Sequence, residues 1–202
     1  MAVSVVQLCN MALARIRAQP IAALNEGSVE SIACGAFYET ARDAVLRDHA
    51  WNFATRRRTL ADTGSAVGGW TYGYAYPSDC LMARKIYNPV GSTRIPFEVA
   101  ATDSGLVIYT DRAAAELVYS ARITDLDLCD PQFLEALSWK LAADVALSVT
   151  GSKDLMQIAL TMYRNTLSQA QTADANEGEE ETVQPASWLE SRLGYQTRLL
   201  VS

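Results

Sequence analysis

The sequence predicts an α+β fold: mainly an α-helical bundle, with a small antiparallel β part inserted in its middle and an extended C-terminal arm. Three observations carry that expectation. Apolar residues recur at helical spacing across residues 5–45 and again across 133–170. Between residues 55 and 125 the period drops to two, with aromatic and β-branched residues alternating with polar ones. After Asn176 both periods give way to glutamates crowded around Gly178. The boundaries are therefore a bundle from residues 1–54 and 126–176, a β part from 55–125, and an acidic linker with a docking arm from 177–202.

The first helix is expected over residues 5 to about 18, with Ser4 as its N-cap. Val5, Cys9, Ala12 and Ile16 fall on one face, Leu8 and Leu13 widen it, and Pro20 stops it. Asn25, Glu26 and Gly27 make a connection. Ser28 then caps a second helix with Glu30 in its first turn, where a carboxylate complements the helix dipole. Its expected apolar stripe is Ala33, Phe37, Ala41, Ala44 and Val45, and Asp43 is placed to pair with Arg47 one turn on. Trp51 and Phe53 follow with strand-like alternation.

In the β part, Tyr72, Tyr74 and Tyr76 alternate until Pro77 breaks the run. Residues 95–99 and 106–110 read as strands joined through Asp103, Ser104 and Gly105. The clearest strand is 116–123, with Leu117, Tyr119, Ala121 and Ile123 on one face and Glu116, Ser120 and Arg122 on the other. Gly64, Gly68 and Gly69 mark a loop. One small antiparallel sheet is expected.

Asp130 followed by Pro131 opens the third helix, a capping carboxylate ahead of a proline at the first helical position. Phe133, Leu134, Leu137, Leu141, Val145 and Ser148 mark its buried side, and Thr150 with Gly151 ends it. Ser152 caps a fourth helix, lined by Leu155, Ala159, Met162 and Ala170, that fades near Asn176. Beyond the glutamates, Ser187 and Glu190 form a capping-box pattern. Trp188, Leu189, Leu193, Tyr195, Leu199 and Leu200 are apolar anchors on a tether, the pattern of a segment that docks on a neighbouring surface.

The chemistry of the chain is sparse. Its formal net charge is -6, which disfavours tight binding to phosphate. An acidic wall still lets DNA slide past without holding it. Cys9, Cys34, Cys80 and Cys129 are scattered, with no C-x-x-C, and are expected to be free thiols. His49 is the single histidine, and no Walker loop, H-E-x-x-H, G-x-G-x-x-G or G-x-S-x-G is present. No catalytic residue, metal or cofactor is expected. The N-terminus shows no signal-peptide pattern, and the apolar runs fall short of a bilayer span. Arg56, Arg57 and Arg58 form the one basic run; Arg56 and Arg58 would share a strand face, for charge contacts with a neighbouring subunit or with DNA phosphates. Asp125 and Asp127 read as loop carboxylates, and the tyrosine run reads as strand filling before base stacking.

Several stretches, in this order and spacing, carry a resemblance. They are Leu13 with Pro20 and Ile21; Arg42 and Asp43 with Leu46, His49, Trp51, Phe53 and Ala54; Tyr76 with Pro77; and Phe133, Ala136, Leu137, Leu141 and Ala142 leading to Thr150 and Gly151. Over roughly residues 3–176 the chain resembles the head-to-tail adaptor family of short-tailed bacteriophages, the tail tubular protein A family. The matching residues are packing positions and none is a catalytic signature. The resemblance implies a helical bundle with an inserted β part and a ring of twelve copies. It places the ring in the virion, at the head–tail junction beneath the portal protein, extending the DNA channel and receiving the tail nozzle or tube. Synthesis in the host cytoplasm follows from the same reading. Double-stranded DNA would pass through without specific binding. The competing expectation is a small cytoplasmic enzyme or binding domain, such as a hydrolase using Cys34 or His49.

Overall fold

A computed structural model of the chain describes residues 3–64, 66–91, 93–103 and 105–177. The fold is α+β. Two helices come first, α1 (Val5–Arg15) and α2 (Val29–Asp48), and a 3-10 turn at Asn52–Ala54 leads out of them. Six strands follow: β1 (Thr55–Thr59), β2 (Tyr72–Ala75), β3 (Cys80–Ile86), β4 (Phe97–Thr102), β5 (Gly105–Thr110) and β6 (Glu116–Ala121). Two further helices, α3 (Pro131–Thr150) and α4 (Lys153–Glu177), complete the described chain.

Local chemistry explains the helix starts. Ser4 accepts from the Gln7 amide while the Gln7 side chain accepts from the Ser4 amide, a reciprocal capping box. Ser28 and Asp130 cap α2 and α3 by accepting from the Ser31 and Gln132 amides, and Ser152 accepts from the Leu155 amide at the start of α4. The first helix stops at Arg15, three residues earlier than its periodicity suggests. Arg17 adopts a left-handed conformation (φ 59°), the Ala18 amide bonds back to Leu13 and the Arg17 amide to Ala14. That is a Schellman closure made without glycine. Asn10 then clamps the connection by bonding both the amide and the carbonyl of Ile21.

Helix α3 is the hub of the bundle, packing against α1, α2 and α4. Its buried side holds Phe133, Leu137, Leu141 and Val145 together with Ala136, Ser138, Ala142, Ala143 and Ala146. The small residues let neighbours approach closely, and each fully buried Leu or Phe contributes about 1.5–3 kcal/mol. Ser148, expected inside, is exposed. On α4, Ala159 and Ala170 are buried as expected, whereas Met162 is exposed and its neighbour Tyr163 takes the inward place. On α2 the buried apolar positions are Ala33, Cys34, Tyr38, Ala41, Val45 and Leu46, with Ser31 and Arg42 buried beside them, so the stripe is centred one residue beyond the expected one. Phe37 and Ala44 lie outside it. Asp43 does not pair with Arg47; it accepts from Arg42 and from Arg122, which arrives from beyond β6.

Trp51 and Phe53 do not alternate on a strand. Phe53 lies within a 3-10 turn, and Trp51, at its N-cap, is buried and donates from its indole nitrogen to the Val45 carbonyl at 2.9 Å. Both rings meet Phe133 edge-on, at 5.3 and 5.1 Å between centroids. Aromatic packing on α3 overrides the alternating pattern here.

The β part holds two three-stranded antiparallel sheets, where one was expected: β1-β6-β3 and β2-β5-β4. Strand β6 lies between β1 and β3, so neither neighbour is its sequence neighbour. The strand expected over 95–99 starts only at Phe97, since Pro96 has no amide hydrogen to offer a ladder and Ile95 makes an isolated bridge to Ile86. Leu117, Tyr119, Ala121 and Ile123 are buried as expected, but Ser120 is buried too, its hydroxyl accepting from Arg84 at 3.0 Å.

Candidate functional site

The arginine run forms β1, an edge strand with all five residues exposed. Leu60 donates to the carbonyl of Ala115, directly opposite it in register, which makes Leu60 and Ala115 a hydrogen-bonded pair. Two residues back, Arg58 with Leu117 and Arg56 with Tyr119 are also bonded pairs. The amides and carbonyls of Arg56 and Arg58 therefore point at β6, and those of Arg57 and Thr59 point outward. Tyr87 donating to Glu116 on the far side of β6 agrees with that phase. Among the described residues no strand pairs with this outer edge along β1; beyond it, Ala61 accepts from the Ala75 amide of β2.

The side chains divide differently. Arg56 ion-pairs with Asp79 at 2.9 Å, and the Tyr119 hydroxyl donates to the same carboxylate at 3.1 Å. Burial, then the Asp79 charge, pushes the Tyr119 phenol above its ordinary range. Arg57, on the opposite face, donates to Glu116 and lies over the Tyr87 ring at 3.3 Å. Glu116 raises the Arg57 guanidinium further, so it stays charged. Arg58 makes no ion pair among the described residues. Two of the three charges are thus balanced within the chain, which leaves one guanidinium for an external anion and makes a weak phosphate site.

Sequence reasoning missed the arginines that join the two halves. Arg84 on β3 donates to the carbonyls of Arg47 and His49 at 2.8 Å each, satisfying acceptors at the C-terminal end of α2. Arg122 reaches Asp43 at 2.9 Å. Arg42 is itself buried, held by Asp43 beside the Tyr38 ring. Arg15 lies 3.8 Å over the Trp139 ring. Arg84, Arg122 and Arg15 meet partners far away in the sequence, which no local pattern announces, whereas Arg42 meets Asp43 and Tyr38 within α2.

Cys9 and Cys34 are fully buried and meet thiol to thiol between α1 and α2, which raises the Cys9 thiol far above its ordinary value. Four free thiols are present. Cys34 and His49 are fifteen residues apart at α2 and its C-cap, roughly 22 Å along the axis at 1.5 Å per residue. They form no dyad. His49 packs edge-on against Trp51 at 5.1 Å. Asp125 and Asp127 are not plain loop carboxylates; Asp125 caps a short 3-10 turn by accepting from the Asp127 amide. Tyr74 is buried and donates to the Arg112 carbonyl, which makes it strand filling. Among the described residues there is no metal-binding cluster, and no helix is long and apolar enough to cross a membrane.

Among the described residues, both α2 and α4 carry exposed apolar side chains. On α2, Val29 and Ile32 are 60% and 64% exposed. On α4, Ile158 (53% exposed) and Met162 line a shallow open depression with Asp154, Gln157 and Thr161. Trp188, Leu189, Leu193, Tyr195, Leu199 and Leu200 lie outside the described residues. Comparison with protein-family models and with curated proteins finds no match to the chain.

Proposed function

We propose that the protein is a structural virion component, a head-to-tail adaptor of a tailed bacteriophage. It forms a ring of twelve subunits between the portal protein and the tail nozzle or tube, extends the DNA channel and lets double-stranded DNA pass without specific binding. The observation that carries the reading is the pair of unlike apolar surfaces, Val29 and Ile32 on α2 and Ile158 and Met162 on α4. A closed ring needs two different, complementary surfaces on each subunit. Further support comes from where the residues of the adaptor resemblance lie: Leu13, Leu46, Trp51, Ala54, Phe133, Ala136, Leu137, Leu141 and Ala142 are all core residues. They specify a scaffold and no chemistry, so the proposal contains no catalytic step, metal or cofactor. The anchors from Trp188 to Leu200 would latch a subunit to the portal or to its neighbour.

The reading is tested by mixing the protein with purified portal rings and averaging electron images. A ring of adaptor density beneath the portal is expected. Truncation after Asn176 should leave a folded body that attaches poorly. Isolated copies, or no attachment by the full chain, would overturn the reading. No observation favours the hydrolase alternative, since its two named groups are held far apart.

A further inference from the structure

We propose that the open edge of β1 receives residues 179–183 of a neighbouring copy as an added strand, glutamates against arginines. The choice of a neighbouring copy deepens the assembly reading above; the strand addition does not require that a ring close. The outward amides and carbonyls of Arg57 and Thr59 are unpaired among the described residues, and an extended peptide satisfies such groups by joining the sheet. The edge displays Thr-Arg-Arg-Arg-Thr, the one basic run in a chain of net charge -6. The one acidic run, Glu179-Glu180-Glu181, is followed by Thr182 and Val183, residues suited to a strand. Pro185 then ends any ladder.

Alternation matches the charges. In the register that sets Glu180 opposite Arg57, Glu179 and Glu181 lie opposite Arg58 and Arg56 and share their face. Arg58 is the strongest contributor, because Arg56 and Arg57 already have Asp79 and Glu116. A neighbouring copy is the occupant because α4 packs on α3 and makes no comparable contact with either sheet. The plainer role for these arginines is to guard a bare edge against unwanted pairing. It predicts no partner.

The probe is a fluorescent peptide of residues 177–190, titrated into the full chain and followed by anisotropy. Saturable binding that weakens with salt is expected. Added hydrogen-exchange protection should appear at the amides of Arg57 and Thr59. Arg58→Glu, at an exposed position with no ion pair to lose, should weaken binding at least tenfold. A peptide with Glu179, Glu180 and Glu181 replaced by lysine should prefer the R56E/R58E protein over the parent by a similar factor. Absence of binding, binding indifferent to Arg58→Glu, or no preference in the swapped pair would overturn the proposal. Peptide binding without rings on portals would leave this inference standing and remove the adaptor reading; rings without peptide binding would do the reverse.

Discussion

Tyr163 on α4 donates its hydroxyl hydrogen to Asp48 at the end of α2, with 2.5 Å between the oxygens and 115 residues of sequence between the partners. Tyr163 is buried, and burial together with Asp48 holds its phenol above the ordinary range, so it remains a donor. The bond fastens the last helix to the point where the chain leaves the bundle for the sheets.

Tyr163→Phe should therefore cost about 1 kcal/mol, the usual net worth of a hydrogen bond that also has access to water. For a chain of this size that is a fall of about 2–4 °C in Tm. Asp48→Asn should cost a similar amount, and the double variant should lose no more than either single one. Full additivity in thermal melts would show that the two residues are not coupled.

Arg84 is the rivet between β3 and α2. Arg84→Ala removes bonds to two helix-end carbonyls and to the buried Ser120 hydroxyl. A loss of about 2–3 kcal/mol is expected, since the carbonyls and the hydroxyl are left without their donor. Arg84→Lys keeps a positive charge near the helix end but cannot span all three acceptors, so it should fall between the two. Urea unfolding midpoints would rank the three proteins; equal midpoints for parent and alanine variant would refute the rivet.

Two glycines should respond with opposite signs. Gly151 ends α3 at φ 66°, while Gly35 lies inside α2, and an added Cβ meets nothing within 4 Å at either site. Space is thus removed from the comparison and backbone preference decides. Gly151→Ala should destabilise by about 1 kcal/mol and Gly35→Ala stabilise by about 0.5–1 kcal/mol. Calorimetric Tm values shifting in the same direction would contradict this.

Alkaline pH should unfold the protein through groups that keep their protons when folded. Burial pushes the Cys129 thiol and the Tyr76 phenol up to about 12 each, helped by Asp125 and Cys80 respectively, and also raises Cys80 and Tyr163. Unfolded thiols and phenols release protons near pH 8.5 and 10. Above those values the unfolded state binds fewer protons than the native one, so stability falls as pH rises. A level plateau is expected from pH 7 to about 8.5, then a progressive decline towards pH 12. Cys129→Ala and Tyr76→Phe should each make the decline shallower, as read from urea midpoints against pH. Stability rising between pH 9 and 11 would refute the assignment.

Local signals were written plainly in the chain. Ser4, Ser28, Asp130 and Ser152 cap the helices that their sequence contexts announce, and Gly151 ends α3 with the left-handed turn that glycine permits. These depend on neighbours within four residues, so the sequence contains the whole interaction. The helical faces were legible to within about one position. On α2 a small phase error moved Phe37 outward and hid Tyr38, and on α4 Tyr163 took the inward place of Met162, because the facing helix decides which side chains it covers. The arginine run was visible as a candidate, including the shared face of Arg56 and Arg58; its status as an edge strand was not.

What the sequence by itself determined, then, is the α+β class, the order of elements, the caps and most of the core, all set by short-range periodicity and backbone preference. Tertiary structure alone decided that six strands divide into two sheets, that β6 lies between β1 and β3, and that Asp43 belongs to Arg122 and Asp48 to Tyr163. The partners in those contacts are 79 and 115 residues apart. Short-range patterning cannot choose among such distant partners; the choice is made only when the packed helices and sheets bring particular charges and hydroxyls within bonding distance.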